Sequence, residues 1–169
     1  MEKKVTNNIT IEGARLIFRN FSGEKSKYNS DRTFDVVLEE ELAKKLKADG
    51  WKVDFLEPRN EDEEGLWHIK VKVYFSEDRS RWPQIVVISG GTKKRLGPKN
   101  VNVLDWASFE NVDVCIRPYN YDFGGKTGVK AYVKSLWVTL RDDDMEMKDR
   151  DIPYADGGDD DEDEALPFN

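Results

Sequence analysis

Cysteine and histidine are almost missing from this chain: its 169 residues hold one of each, Cys115 and His68. A lone cysteine excludes an internal disulfide framework, and no Cys/His cluster is available for a structural zinc site. Cys115 lies in an alternating apolar run, so a buried, inert thiol is expected. No apolar run approaches the ~20 residues that span a bilayer, and residues 1–8 lack the apolar core of a secretory signal. A soluble, intracellular protein is therefore expected. Catalytic constellations are scarce too. His68 has no cysteine or serine partner in the sequence and reads as surface on a strand face. A metal-dependent nuclease would need clustered carboxylates, and in the body only Asp35, Glu39 and Asp54 are candidates, which helix capping or solvation explains equally. Gly124-Gly125-Lys126-Thr127 lacks the upstream glycine and the strand–loop–helix context of a nucleotide-binding loop. No enzyme, metal or cofactor is expected.

Hydrophobic residues make up 38% of the chain and charged residues 36%. That balance is more polar than an average folded domain, so part of the chain is expected to stay unfolded. The length suits one domain rather than two. The net charge of −7 argues at first against a nucleic-acid partner, but its distribution reverses the argument. Residues 142–169 carry 13 Asp/Glu against two Lys/Arg, a net of −11, while the other 141 residues hold 25 Lys/Arg and 21 Asp/Glu, a net of +4. A mildly basic body with a strongly acidic end is the pattern of an interaction tail on a nucleic-acid-binding body. The expected division is a folded domain over 1–141 and a disordered, acidic protein-interaction tail over 142–169.

The body reads as strands. Residues 9–21 are rich in β-branched and apolar types, and 33–38 forms a second strand. It runs into 39–48, the one helical segment. Acids fill the first turn of that helix, lysines its later turns, Leu42 and Leu46 form a narrow apolar face, and Asp49-Gly50 stops it. Residues 51–56 predict a short strand and 57–65 a polar loop. Over 67–75 the alternation is strict: Trp67, Ile69, Val71, Val73 and Phe75 on the core face, His68, Lys70, Lys72 and Tyr74 on the other. A short apolar strand at 84–88 leads into a basic loop at 90–100, and 111–121 with 129–140 predict a hairpin around 123–128. Six or seven strands, one short helix and no βα alternation predict an all-β fold. The size and the single mid-chain helix suit an OB-fold-like Greek-key barrel.

Beyond residue 141 the periodicity stops, and too few apolar residues remain to offset chain entropy. Six consecutive acids, 159–164, precede Ala165, Leu166, Pro167, Phe168 and Asn169. A merely solubilising tail has no use for an apolar end. Here the plug is free to enter a pocket rimmed by basic residues, with aromatic burial supplying affinity and the acids on-rate. Asp163-Glu164-Ala165-Leu166-Pro167-Phe168 resembles the tail tip, Asp-Asp-Asp-Ile-Pro-Phe in type, of bacterial and phage single-stranded DNA-binding proteins. Asp151-Ile152-Pro153-Tyr154 resembles a weaker copy. The motif covers only the tail; the body joins it by its general arrangement, closer to phage members than to the bacterial type. Asn169 is a departure, because the bacterial tip ends on the Phe. The resemblance implies an OB-fold body that binds single-stranded DNA without reading sequence, during replication, recombination or repair in a bacterial or phage-infected host cytoplasm. It implies that Leu166, Pro167 and Phe168, with Ile152, Pro153 and Tyr154 as the second copy, recruit replication and recombination proteins. An annealing or recombination-mediator protein would present the same binding face. An RNA- or oligosaccharide-binding OB domain fits the body but not the tail.

Sequence-independent binding of single strands needs cations for phosphates and flat rings for bases. Lys70, Lys72 and Tyr74 share the polar face of the best strand. Arg117, Tyr119 and Tyr121 share a face of a later one, with Tyr132 across the hairpin and Phe123 and Lys126 at its tip. Lys93, Lys94, Arg95 and Lys99 form the expected phosphate clamp, flanked in sequence by Trp82 and Trp106. Trp67 and Phe75 are expected in the core, and Trp137 in the core or at a barrel end.

Overall fold

Strict alternation over 67–75 places one strand at the centre of the molecule, and its neighbours assemble around it. The computed structural model describes residues 5–24 and 31–141. Within them the chain forms β1 (Ile9–Ile11), β2 (Leu16–Asn20), β3 (Arg32–Leu38), α1 (Glu40–Ala48), β4 (Val53–Leu56), β5 (Leu66–Val73), β6 (Gln84–Ser89), β7 (Thr92–Leu96), β8 (Phe109–Phe123) and β9 (Lys126–Leu140). Two 3-10 turns, Arg79–Arg81 and Val101–Asp105, complete the described elements. Among the described residues no helix is long and apolar enough to cross a membrane. The tail expected at 142–169 lies outside the described residues.

All nine strands join one mixed sheet along the path β1-β8-β9-β5-β3-β2, with β4 added to β5 and the β6–β7 pair added to β9. The long β9 serves two partners on one edge. Its first half runs parallel to β5 (Val71↔Ala131, Lys72↔Tyr132), its second half parallel to β6 (Gln84↔Ser135 through Ile88↔Thr139). That sharing bends the sheet around one core of Phe34, Val36, Ile69, Val71, Ile85, Val87, Val114, Ile116, Leu136 and Val138, all buried. Fully burying side chains of this kind stabilises by about 1.5–3 kcal/mol each. The β8–β9 hairpin turns on Gly124 (φ +60°) and Gly125 (φ +82°), the two left-handed positions that a two-residue turn matched to strand twist requires.

Helix α1 forms as its charges dictate: Glu40 and Glu41 open it, Lys45 and Lys47 close it, and Glu40 pairs with Lys44 at 2.7 Å. Ala43 and Leu46 are buried, and the chain leaving the helix is tied to the start of β9 by the Lys52 and Val129 amides.

Four sequence expectations change. Residues 9–21 are two strands, because Glu12 and Gly13 turn the chain between β1 and β2. Within the basic loop expected at 90–100, residues 92–96 are β7, paired with β6 across Gly90-Gly91. Cys115, expected buried, is half-buried: Val112, Val114 and Ile116 take the inner parity of β8, Cys115 falls on the outward parity between them, and the thiol meets the Thr10 hydroxyl at 3.7 Å.

The fourth concerns His68, read as surface. It is buried on the face of β5 away from the core, with Nδ1 2.6 Å from Oδ2 of Asp35 on β3. The cause is a bulge in β2. Between the pairs Ile17↔Asp35 and Asn20↔Thr33, β2 has one residue more than β3. Phe18 takes φ +53° there, which aims its ring at His68 (centroids 5.6 Å apart, edge-on). Arg19 instead donates to the Leu104 and Ala107 carbonyls (3.0 and 2.8 Å). A left-handed backbone on a bulky residue costs about 1–3 kcal/mol. Burial raises the Asp35 carboxyl above its ordinary pKa, against the opposing pull of His68.

Candidate nucleic-acid interface

The face of the sheet turned away from the core carries the outward parity of each strand. On β5 these are His68, Lys70 and Lys72; on β9 they include Lys130 and Tyr132; on β8, Arg117, Tyr119 and Tyr121. Register then decides which of them meet. Tyr132 pairs with Lys72 on one side and Arg117 on the other, so the three form a row across β8, β9 and β5. The Arg117 guanidinium stands 5.2 Å from the Tyr132 ring centre and the Lys72 ammonium 6.0 Å, both within cation–π range. Tyr119, half exposed at 50%, meets the same ring edge-on at 5.7 Å. Lys72 also pairs with Asp31 at 3.2 Å.

The row continues toward the hairpin tip. Lys130, opposite Tyr119, lies 5.3 Å from the Tyr121 ring. Tyr121 lies over Gly128, where a Cβ would fall 2.5 Å from its hydroxyl oxygen, so this ring position needs the missing side chain. Phe123, 82% exposed, and Lys126 flank the Gly124-Gly125 turn. Lys70 is exposed opposite Asp35, and Tyr74 is exposed just past the end of β5. The structure thus gathers Lys70, Lys72, Arg117, Tyr119, Tyr121 and Tyr132 on one face, with Phe123 and Lys126 at its end.

The remaining sequence candidates lie elsewhere. Lys93, exposed on β7, stands 6.0 Å from the ring of Trp137, which lies in the row Asp113–Trp137–Val86–Arg95 across β8, β9, β6 and β7. Lys94 and Arg95 are half-buried on β7, and burial together with the nearby Arg79 holds the Arg95 guanidinium below its ordinary value. Trp82 packs rather than projects. Its Nε1–H donates to the Ser76 carbonyl at 2.8 Å, its ring meets Phe75 edge-on at 5.3 Å, and a Cβ built at Gly97 would lie 3.1 Å away. Lys99 is exposed before the Val101–Asp105 turn and Trp106 is exposed after it.

Sequence reasoning passed over two cations in these groups. Lys130 was legible, since it alternates with Val129 and Ala131 on the polar parity of its strand. Arg79, 5.2 Å from the Trp82 ring, belongs to a segment without periodicity and left no signal. The carboxylates weighed for a nuclease are scattered in role: Asp35 is held by His68, whereas Glu39 and Asp54 are exposed. Among the described residues no group of three or more His, Cys, Asp or Glu is placed to hold a metal ion. Chemically, the β5–β9–β8 face offers fixed rings interleaved with cations, which suits a flexible polyanion with planar substituents.

The family model of the phage ssDNA-binding domain matches residues 1–167. The chain is similar in structure to the single-stranded DNA-binding protein of bacteriophage Enc34 with its C-terminus truncated, at 13% identity and a TM-score of 0.50, covering 83% of this chain and 94% of that one. A second structure of the Enc34 protein aligns at 13% identity and a TM-score of 0.50 over 97% of each chain. At this identity the likeness speaks to the fold, which is OB-fold-like. No curated protein matches the sequence.

Proposed function

The chain belongs to the phage single-stranded DNA-binding family, and from that premise we propose that it holds the strand on the outer face of β5, β9 and β8, without reading sequence, while DNA is replicated, recombined or repaired in the cytoplasm of a phage-infected host. The row Arg117–Tyr132–Lys72, with Tyr119 edge-on to its central ring, carries this reading. Base–aromatic stacking contributes ~1–3 kcal/mol per base and tolerates any sequence, because every base has a π face. Tyr132, Tyr119, Tyr121 and Phe123 take bases; Lys70, Lys72, Arg117, Lys126 and Lys130 take phosphates, and Tyr74 borders the track. Lys93, Lys94, Arg95, Lys99 and Trp106 act as a flank that attracts the backbone, and Trp82 serves packing.

The acidic residues 142–169, net −11, complete the proposal. Tethered to a cationic face, such a segment has a high effective concentration there and competes with DNA. DNA displaces it and frees Leu166, Pro167 and Phe168, with Ile152, Pro153 and Tyr154 as a second copy, for replication and recombination proteins. Fluorescence anisotropy of a labelled single strand of ~30 nucleotides tests both parts, with full chain and a 1–141 truncation, two salt concentrations and a duplex competitor. Single-strand-selective, salt-sensitive binding that tightens on truncation is expected. No binding by the full chain would refute the reading; equal affinity of the two forms at low salt would remove the competing tail and leave the face.

A further inference from the structure

Phe18 combines three features that packing alone does not explain. It is large, 57% exposed, and held at φ +53°, a left-handed conformation that glycine adopts freely and a bulky side chain does not. The β2 bulge that produces this conformation turns the ring out of the core-facing parity and onto the outer face. There it meets His68 edge-on at 5.6 Å, and His68 is fixed from the other side by Asp35, itself only 2% exposed, with its second oxygen Oδ1 buried and unpartnered. A buried carboxylate–imidazole pair is a costly support for a surface ring, and it holds that ring in one orientation.

The position matters as much as the strain. Asp35 pairs with Lys70 and Thr33 with Lys72, so β3 alone separates β2 from the cationic strand β5. Phe18 therefore stands on the same outer face as the Lys72–Tyr132–Arg117 row, at the opposite end of the sheet path from the β8–β9 tip. We infer that Phe18 is a stacking platform for an unpaired base, extending the track across β5, β3 and β2, with His68 and Asp35 as positioning residues that keep the ring face open. This rests on the outer-face reading above and lengthens it.

Phe18→Gly provides the test, because it removes the ring and relieves the backbone at once. In the full chain, single-strand affinity by anisotropy is expected to fall about 5- to 150-fold, the range for one lost base–aromatic stack, while the melting temperature holds or rises. Phe18→Tyr, which keeps a ring, is expected to bind like the unmodified chain. If folded Phe18→Gly binds the strand as tightly as the unmodified chain, the platform is refuted and Phe18 is only a cover for the Asp35–His68 pair. Weakened binding that Phe18→Tyr fails to restore refutes it as well, since the ring is then not what the strand uses. Tyr132→Ala run alongside separates the two claims. Weaker binding there with none at Phe18 overturns this inference alone, and no binding by the unmodified chain overturns both.

Discussion

The two aromatic-cation regions of this barrel are built from the same residue types and end in opposite states. On β5–β9–β8, Tyr132 sits between Arg117 and Lys72 with its neighbour Tyr119 half exposed. At the β6–β7 end, Trp82 is clasped by Phe75, Gly97 and the Ser76 carbonyl, and Arg95 is half-buried beside Arg79. Composition is alike; register and the strand's position in the sheet differ. A ring becomes available to a ligand when its strand is central and its parity outward, and it becomes structural when it closes the end of the core.

That contrast predicts opposite phenotypes, and the pair of substitutions with the largest effects could break it. Tyr132→Ala is expected to weaken single-strand binding about 5- to 150-fold with little change in melting temperature. Trp82→Ala is expected to do the reverse: a loss of about 2 kcal/mol, roughly 5 °C in melting temperature, with nearly unchanged affinity. Equal losses of affinity in both would erase the distinction between the regions. Anisotropy and thermal melts on the same preparations decide it.

Two glycines sharpen the contrast at lower amplitude. Gly128→Ala drives a methyl into Tyr121 and Gly97→Ala drives one against Trp82, at 2.5 and 3.1 Å respectively. The first is expected to shift affinity several-fold, the second mainly stability, by about 1 kcal/mol, read by the same two assays. The smallest effect is in salt dependence. Arg117→Ala is expected to lower the slope of log affinity against log salt by about 0.7, one phosphate contact on a single strand, and Lys93→Ala, on the flank, to lower it by less.

Much of this was legible where side-chain period and strand period coincide. The alternation over 67–75 located β5 and both of its faces, the charge order of 39–48 located α1, and the apolar parities of 111–121 and 129–140 located the β8–β9 hairpin with Tyr132 across from the group of Arg117, Tyr119 and Tyr121, though not which of them it meets. What escaped depends on backbone rather than pattern. β7 leaves no period-two signal, because Thr92, Lys93, Lys94 and Arg95 carry no alternation, although Gly90-Gly91, both at positive φ, is a two-residue hairpin turn. The β2 bulge was illegible because its left-handed position holds Phe18 where a glycine would have announced it. The burial of His68 follows from that bulge and was lost with it. Trp82 flanks the clamp of residues 93–99 in sequence, yet its partners are Phe75 and Gly97, which only the folded chain brings to it.

The most direct test of the outer-face interface is a titration of the 15N-labelled full chain with a short single strand, followed by backbone amide chemical shifts. Shifts concentrated at Lys72, Arg117, Tyr119, Lys130 and Tyr132 are expected, with smaller shifts on β7 and little change on β6. Shifts confined to the surroundings of Trp82, Lys93 and Arg95, with β5, β8 and β9 silent, would contradict it.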